Sequence, residues 1–386
     1  MTSPCGNHPH ARSGFGLYIH VPFCRSRCPY CAFSSTVALD AFMPAYADAV
    51  ASELRLGLTG IFVGNPDTVY LGGGTPSIMP ARLIGRIFDG IDCEGISEFS
   101  VEINPESTNP SWLADMRLLG VDRVSIGIQS LDNGVLKNLG RIHDAGQARM
   151  AVKQAREAGF DNLSVDLMFG VPGQTLALWK ETLKQTVDLG PDHLSCYSLS
   201  VEEDTGYFRR FNDGSLNIPS PDETADMYLY MCEFLAGEGF DRYELSNFAR
   251  AGYECRHNIG YWDGKPYRGA GLSAHSYDGS RRWRNTGDIE RYISLSNGNC
   301  SVIQEYEIID ASTSVFEQLM LGLRTRQGIS RLLLRANAAD QSELDNLIGS
   351  YMKNGLMACD GDNLILTPLG SVCADEITAE IAALLK

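Results

Sequence analysis

The first half of the sequence alternates short apolar runs with longer amphipathic segments. Six runs rich in β-branched and aromatic residues predict strands at 16–21, 68–71, 99–103, 123–128, 163–169 and 194–199. Between them, segments such as 45–56, 147–158 and 176–189 repeat apolar residues every three or four positions, as sheet-covering helices do. This repeated order, without hairpin signals, predicts a parallel sheet joined by right-handed crossovers.

The alternation limits the fold to two α/β architectures. Six βα units are too few to close an eight-stranded barrel, so we expect a partial (β/α)6 TIM-like barrel or an open doubly wound sheet. In both, binding residues gather at the carboxyl ends of the strands. That edge of the predicted sheet carries Gly72, Gly73, Gly74, Thr75, Glu102, Asn104, Gln129 and Asp166. We therefore expect one pocket there.

The pattern changes after about residue 240. An irregular segment rich in aromatic residues and glycine covers 243–283, and helical patterns follow at 314–324 and 340–353. Residues 356–367 then have the pattern of a hairpin, before a last helix. This order predicts a small winged-helix-like α+β domain. We divide the chain into a barrel domain (1–240), a connecting segment (241–310) and a C-terminal domain (311–386).

The composition excludes several classes of function. The 386 residues carry a net charge of −16, whereas nucleic-acid-binding proteins usually present a basic face. No apolar run reaches the ~20 residues that span a bilayer, and residues 1–14 lack the apolar stretch of a signal peptide. Eleven cysteines, an odd number, indicate free thiols in a reducing compartment. We expect a cytoplasmic protein without nucleic-acid partners or an integral membrane segment.

Three closely spaced cysteines follow the first predicted strand. Cys24, Cys28 and Cys31 form a C-x3-C-x2-C loop, in which three thiolates can face one iron–sulfur cluster. Structural clusters take four cysteines, so three leave one iron open for a ligand. Zinc is the alternative, but zinc sites usually pair two C-x2-C halves, and the sequence has no second half. We expect an oxygen-sensitive cluster on these cysteines.

The cysteine loop belongs to a longer motif. Tyr18-Ile-His-Val-Pro-Phe-Cys24 leads into it, and Gly72-Gly-Gly-Thr-Pro76 follows the second predicted strand. Over nearly the whole chain, the sequence resembles the radical S-adenosylmethionine superfamily, in the branch that contains oxygen-independent coproporphyrinogen III oxidase and a bacterial heme chaperone. The resemblance implies the partial barrel, a 4Fe-4S cluster on the three cysteines, and S-adenosylmethionine on the open iron. In that superfamily, an electron from the cluster cleaves the sulfonium to a 5′-deoxyadenosyl radical.

The resemblance also implies a set of cofactor contacts, by position within matching motifs. They are Tyr18, Tyr30, Gly73, Gly74, Thr75, Glu102, Gln129, Arg141 and Asp166. Tyr30 resembles the aromatic residue against adenine, and the glycines resemble the stretch whose backbone meets the methionine amine. Elementary chemistry agrees, because glycine permits close backbone approach and a carboxylate among apolar strand residues needs a partner. A plain tight turn and a structural ion pair are the alternatives.

Two places in the sequence bear on the choice within that branch. The oxidase pattern continues C-x3-C-x2-C-x-C, whereas Phe33 stands at the fourth cysteine position here. The hexapeptide His257-Asn-Ile-Gly-Tyr-Trp262 matches the H-N-x-x-Y-W motif of the heme chaperone branch, where the histidine is implicated in heme binding. Neutral imidazole is a common axial ligand of heme iron, and aromatic rings offer flat apolar surface to a porphyrin. A satisfied structural histidine is the alternative.

These features predict a heme chaperone that binds heme near His257 and passes it to apo-haemoproteins, with the cluster and S-adenosylmethionine controlling its state. Oxidative decarboxylation of coproporphyrinogen III is the alternative function. Cys255 fits a buried thiol better than a heme ligand, and His275 is a weaker candidate than His257, with shaping of its loop as the alternative role. The sequence leaves open the recipient protein, the cleavage of S-adenosylmethionine in turnover, and a homodimer.

Overall fold

The computed structural model describes residues 14–37, 39–57, 60–89, 91 and 95–386. These residues form a twelve-stranded sheet, a three-stranded sheet and one further strand pair, with fifteen α-helices around them. None of the helices in this part of the chain is both long and apolar enough to cross a membrane.

The first part of the chain alternates strands and helices, as predicted. Its elements are β1 (Gly16–Val21), β2 (Phe23–Cys24), β3 (Thr36–Val37), α1 (Met43–Gly57), β4 (Thr68–Gly73), α2 (Ala81–Ile87), β5 (Glu98–Ile103), α3 (Pro110–Leu118), β6 (Arg123–Gln129), α4 (Asn133–Asn138), α5 (Ala145–Glu157), β7 (Asn162–Phe169), α6 (Leu176–Asp188) and β8 (His193–Ser198). The six predicted strands correspond to β1 and β4 to β8, with ends that differ by at most two residues.

The rest of the chain extends this sheet and then forms a smaller unit. The extending elements are α7 (Gly206–Asn212), α8 (Pro221–Gly237), β9 (Asp241–Arg242), β10 (Asn247–Ala249), α9 (Arg256–Trp262), β11 (Tyr267–Ala270), β12 (His275–Tyr277), β13 (Arg281–Asn285), α10 (Ile289–Asn297) and β14 (Ile303–Ile308). The smaller unit contains α11 (Ala311–Gly322), β15 (Ile329–Ser330), α12 (Arg331–Asn337), α13 (Gln341–Lys353), β16 (Met357–Asp360), β17 (Asn363–Leu366), α14 (Pro368–Val372) and α15 (Ala374–Ala382).

The main sheet has the order β14-β13-β12-β11-β1-β4-β5-β6-β7-β8-β10-β9. Its seven central strands, β11 to β8 in that order, are all parallel. Antiparallel strands extend both ends, so the central strands form an open partial barrel instead of a closed one. The predicted α/β class is confirmed, with β11 as one more parallel strand than the sequence indicated.

The segment 241–310, which we predicted to connect two domains, contributes six strands to the main sheet. Three of these strands are too short to give a sequence pattern, and β14, although six residues long, is exposed at every position. β9 and β10 contain two and three residues, too few to show an alternating pattern, and β12 contains three. The large hydrophobic core accordingly continues through this segment, as far as Val302.

The C-terminal unit has its own sheet and core. Its strands pair in the order β15-β17-β16, and its elements follow one another as helix, strand, helix, helix, strand, strand. A separate hydrophobic cluster, which includes Leu319, Leu344 and Ile377, fills the space between them. This arrangement agrees with the predicted small α+β domain. Arg242 joins the two units, because its guanidinium donates to the Leu366 carbonyl oxygen at 2.9 Å.

One buried carboxylate ties α1 to the antiparallel extension of the sheet. Glu53 on α1 accepts hydrogen bonds from Arg268 Nη2 at 2.8 Å and from the Gly271 amide at 2.9 Å. It also accepts from Asn285 Nδ2 at 2.8 Å and from the Tyr292 hydroxyl at 2.5 Å. The side chains of Glu53 and Arg268 are only 4% and 8% exposed, so both charges depend on this network.

We expect Glu53→Ala to lower the free energy of unfolding by ~3–5 kcal/mol, because it leaves the Arg268 guanidinium buried without its counter-charge. Urea denaturation followed by tryptophan fluorescence measures the change. Asp48→Ala is the matched control, since it breaks an exposed ion pair with Arg86 and should cost less than ~1 kcal/mol. Equal losses in the two variants would contradict this account of Glu53.

Candidate functional site

A cavity of about 500 Å³ lies at the carboxyl ends of the parallel strands. We call it the cysteine cavity, because Cys24, Cys28 and Cys31 line one side of it. Eight of the residues that the sequence assigned to cofactor contacts also line it, namely Tyr30, Gly73, Gly74, Thr75, Glu102, Gln129, Arg141 and Asp166. The structure therefore brings most of the predicted site into one pocket.

The cysteines lie on a short loop that begins at β2. This strand pairs with β3, Phe23 opposite Thr36, which closes the loop, and the Cys31 amide donates to the Cys28 carbonyl oxygen at 3.1 Å. All three thiols are free and half-buried. Burial raises the pKa of the Cys24 and Cys31 thiols above the ordinary value.

The donor set fits an iron–sulfur cluster. Arg141 Nη1 lies 3.6 Å from Cys28 Sγ, so a positive charge stands beside one of the three thiols. No three metal-ligating side chains in the described ranges converge closely enough to hold a single ion. A cluster does not need such convergence, because each of its cysteines binds a separate iron.

The glycine-rich segment after β4 packs directly on the cysteine segment. The Gly74 amide donates to the Val21 carbonyl oxygen, and the Thr75 amide to that of Phe23, both at 2.8 Å. A Cβ atom on Gly74 would lie 2.7 Å from the Phe23 carbonyl oxygen. Gly73 has φ 112°, which side chains disfavour. These positions require glycine for close backbone approach, as the sequence indicated.

Two half-buried carboxylates, Glu102 and Asp166, line the cavity. Glu102 accepts from the Tyr70 hydroxyl at 2.8 Å and from the Gly73 amide at 3.0 Å. Asp166 accepts from Ser125 Oγ at 2.9 Å. Burial raises the pKa of both, and the Asp166 charge adds to the effect on Glu102, whose pKa rises to about 7. A cationic ligand would offset the cost of ionising them.

Arg141 and Gln129 also line the cavity. Arg141 Nη2 donates to Asn104 Oδ1 at 2.7 Å and to the Gly127 carbonyl oxygen at 3.0 Å, while its Nε is buried without a hydrogen-bond partner among the described residues. Gln129 has φ 62°, a left-handed conformation uncommon outside glycine, where the pairing of β6 with β7 shifts. Such strain is typical of ligand sites.

Sequence reasoning missed several polar residues of this cavity. Arg123, Ser125, Ser195, Tyr197 and Asn258 line it. Arg123 is 2% exposed, and its Nε has no hydrogen-bond partner within the described part of the chain. The sequence could have indicated a role for Arg123, because it stands at the start of a buried strand and an arginine is rarely buried without a counter-charge. Asn258, by contrast, reaches the cavity from α9, which no sequence pattern linked to it.

Tyr18 is the exception among the predicted cofactor contacts. Its hydroxyl hydrogen-bonds His20 Nδ1 at 2.9 Å, and its ring lies 6.2 Å from that of Tyr70. Tyr18 lines a different cavity, of about 1080 Å³, which we call the second cavity; its walls include Tyr18, Phe33, Tyr261, Tyr267, Tyr277 and His275. The structure does not bring Tyr18 into the cysteine cavity.

His257 lies in neither of these cavities. It is 3% exposed, with Nδ1 hydrogen-bonded to Thr68 Oγ1 at 2.8 Å and Nε2 to the Tyr261 hydroxyl at 2.9 Å. Burial, with the Arg123 charge, lowers the pKa of its imidazole to about 3, so the ring is neutral. Both nitrogens are occupied, and heme ligation would require two buried hydrogen bonds to break. The geometry therefore speaks against the predicted heme role of His257.

Comparisons with known proteins show which family and fold the chain resembles. A family model described as the Radical SAM superfamily matches residues 18–186. The heme chaperone HemW of Mycobacterium tuberculosis is 36% identical over 379 residues, which cover 96% of each chain, and that of Bacillus subtilis is 32% identical over 93% of this chain and 97% of its own. Coproporphyrinogen III oxidase (HemN) from Escherichia coli has the same fold, with a TM-score of 0.82 at 22% identity over 97% of this chain and 92% of its own.

We expect Cys28→Ser to abolish the cluster absorbance and to lower the iron content from ~4 per chain to background after anaerobic reconstitution, since a hydroxyl is a poor iron ligand. Iron analysis measures the iron content, and the visible sulfur-to-iron charge-transfer absorbance measures the cluster. Cys300→Ser is the matched control, because Cys300 is an exposed thiol outside the cavity. Full iron content in Cys28→Ser would show that the triad is not the cluster site.

Proposed function

Because this chain belongs to the HemW family of heme chaperones, within the radical SAM superfamily, we propose that it binds heme and delivers it to apo-haemoproteins. It does so while carrying a 4Fe-4S cluster and S-adenosylmethionine. The observation that carries the proposal is the relationship to HemW proteins over nearly the whole chain, joined to a cavity that gathers the cysteine triad with eight polar and glycine contacts.

Cys24, Cys28 and Cys31 would hold the cluster. Support comes from three free thiols on one side of one cavity, with the Arg141 guanidinium beside Cys28. When bound, the cluster supplies a single electron and an iron with an open coordination position. Thr75 Oγ1, 3.6 Å from Cys24 Sγ, is held by Asn104 Nδ2 at 2.9 Å, so it can donate its hydroxyl proton toward the Cys24 thiolate.

S-adenosylmethionine would occupy the rest of the cysteine cavity. At neutral pH this ligand carries a sulfonium and an ammonium cation and one carboxylate. The cavity offers the carboxylates of Glu102 and Asp166 to the cations, and the guanidinium of Arg141, with its unpartnered Nε, to an anion. Tyr30, half-buried with its ring 6.2 Å from that of Tyr207, supplies an aromatic wall for an adenine. No catalytic residue is assigned.

Heme is the proposed cargo, and apo-haemoproteins are the proposed recipients. Size supports a site separate from S-adenosylmethionine, because the second cavity, at about 1080 Å³, has twice the volume of the cysteine cavity. A cytoplasmic location is also proposed, supported by free, unpaired cysteines that suit a reducing compartment. The sequence-based assignment of the heme ligand to His257 is less well supported, since both of its ring nitrogens are bonded.

Porphyrinogen decarboxylation is the competing function. The oxidase from Escherichia coli shares the fold at 22% identity, a level at which activity does not transfer. Phe33, where the oxidase pattern has a fourth cysteine, is 68% exposed at the junction of the two cavities. An apolar side chain there suits contact with a flat apolar ligand and cannot bind metal.

We expect the affinity for S-adenosylmethionine to rise with pH up to about pH 7, by at most about tenfold per unit, and then to level off. The pKa of Glu102 is raised to about 7, and a cationic ligand binds better to the ionised carboxylate. Below pH 7 the carboxyl group is protonated, so binding of the ligand releases a proton and the affinity falls. Anaerobic calorimetry of the reconstituted protein measures the slope. Glu102→Gln removes the titrating group and should flatten it; an unchanged slope in this variant would contradict the assignment.

We expect anaerobically reconstituted protein to bind heme at about one per chain, with a shifted Soret band. The same preparation, given coproporphyrinogen III, S-adenosylmethionine and a reductant, should form no protoporphyrinogen IX. Absorbance titration and chromatography of the porphyrins measure the two outcomes. Conversion of coproporphyrinogen III would overturn the chaperone proposal, and so would the absence of any heme binding.

A further inference from the structure

The volume, tyrosines and cations of the second cavity suit a porphyrin. One of the histidines that line it, His275, belongs to no motif found in the sequence. We propose that heme binds in this cavity with His275 as its axial ligand. The inference rests on the proposed heme-carrying function and specifies where on the chain that function is performed. It is argued from the unbonded imidazole of His275, the strand face on which it lies, and the charge and shape of the walls.

His275 differs from the other histidines that the structure describes. His20, His143, His193 and His257 are buried, and each has both ring nitrogens in hydrogen bonds. His275 is exposed, and neither of its ring nitrogens is bonded to any residue in the described ranges. Partial burial and the nearby cations Arg284 and Arg282 lower the pKa of its imidazole, which favours the neutral form that binds iron. Among the described histidines, His275 is therefore the one whose ring nitrogens are free to bind heme iron.

The strand register places His275 among suitable neighbours. In the pairing of β12 with β13, His275 lies opposite Arg284, and Tyr277 lies opposite Arg282. Tyr277 also lies opposite Tyr267 on β11. Alternate residues on a strand point to the same face, so these five side chains share one face of the sheet. All five line the second cavity.

Three tyrosines, Tyr261, Tyr267 and Tyr277, give the cavity an aromatic wall. Tyr267 packs edge-on against Tyr261 with ring centroids 4.6 Å apart, and its ring lies 6.1 Å from that of Tyr277. Met320 and Leu321 of α11 line the facing wall. A volume of about 1080 Å³ between the aromatic sheet face and α11, which also presents Ser314, Glu317 and Gln318, accommodates a ligand of porphyrin size.

The charge of the walls suits the two propionates of heme. The charged residues that line the cavity are four cations, Arg27, Lys265, Arg282 and Arg284, and two acids, Asp263 and Glu317, in a chain of net charge −16. Arg282 is held at 2.7 Å by both Glu307 and Glu317, and Arg284 by Glu305 at 2.6 Å. These pairs fix the arginines in position, and Arg284 Nε has no hydrogen-bond partner in the described part of the chain. Three glutamates already pair with Arg282 and Arg284, so the propionates would bind to Arg27, which has no ion pair with a described residue, and would compete with these glutamates for the two arginines.

The cysteine loop separates the two cavities. Arg27, Ala32, Phe33 and Ser35 each line both of them. Heme in the second cavity would therefore lie against the loop that carries Cys28 and Cys31, with the exposed ring of Phe33 available for packing on the porphyrin. The heme and the cluster would therefore both contact the cysteine loop.

Anaerobic heme titration of reconstituted wild-type, His275→Ala, His257→Ala and Tyr306→Ala proteins tests the site. We expect His275→Ala to weaken binding by at least about tenfold and to move the Soret band, and free imidazole to restore the band by filling the vacated position. His257→Ala should keep the wild-type Soret position. Tyr306→Ala is the matched control, because Tyr306 pairs with Trp283 on the other face of the same strands and is 75% exposed.

The outcomes separate this assignment from the function on which it rests. If wild-type protein binds no heme, the chaperone proposal fails, and the site fails with it. If wild-type protein binds heme, His275→Ala keeps the same affinity and Soret band, and His257→Ala loses them, the function stands and the site is wrong. Iron content and the thermal unfolding midpoint of each variant identify a loss that comes from misfolding. An imidazole-restored Soret band in His275→Ala supports ligation, which a merely structural role would not produce.

Discussion

The site depends on the close backbone contact between the glycine-rich segment after β4 and the cysteine segment after β1. Two amide-to-carbonyl bonds of 2.8 Å, from Gly74 to Val21 and from Thr75 to Phe23, continue the parallel pairing of β1 with β4 beyond the strands. A side chain at Gly74 would meet the Phe23 carbonyl oxygen at 2.7 Å. This contact fixes where Cys24 begins the loop, and so it sets the position of the loop against the ends of β5 to β8.

The cysteine cavity is lined by an unusual set of charged groups. Glu102, Asp166, Arg123 and Arg141 all line the cysteine cavity, and both guanidinium groups keep an Nε without a hydrogen-bond partner in the part of the chain that the structure describes. Buried charges without full hydrogen bonding cost stability, so a fold retains such groups where a ligand satisfies them. Two carboxylates and two guanidinium groups complement a ligand with both cationic and anionic ends.

The sequence was most informative where local pattern decides the structure. Six strand positions, the cysteine loop and the glycine turn depend on neighbours in the chain, and the structure has them within two residues. Contacts between side chains that are distant in the sequence could not be predicted from it. His257 is bonded to Thr68, which is 189 residues away, and Tyr18 lines a second cavity that only the folded sheet creates. The short strands β12 and β13, which place His275 beside Arg284, show too little periodicity to predict.

The motif around His257 has a structural explanation that connects it to the second cavity. The Glu98 carboxylate accepts from the backbone amides of Arg256 and His257 at 2.8 and 3.2 Å, which holds the amino terminus of α9. One turn later, His257 Nε2 holds the Tyr261 hydroxyl, and Tyr261 lines the second cavity. The motif thus anchors a helix and positions an aromatic wall. The motif is therefore explained without His257 contacting the iron.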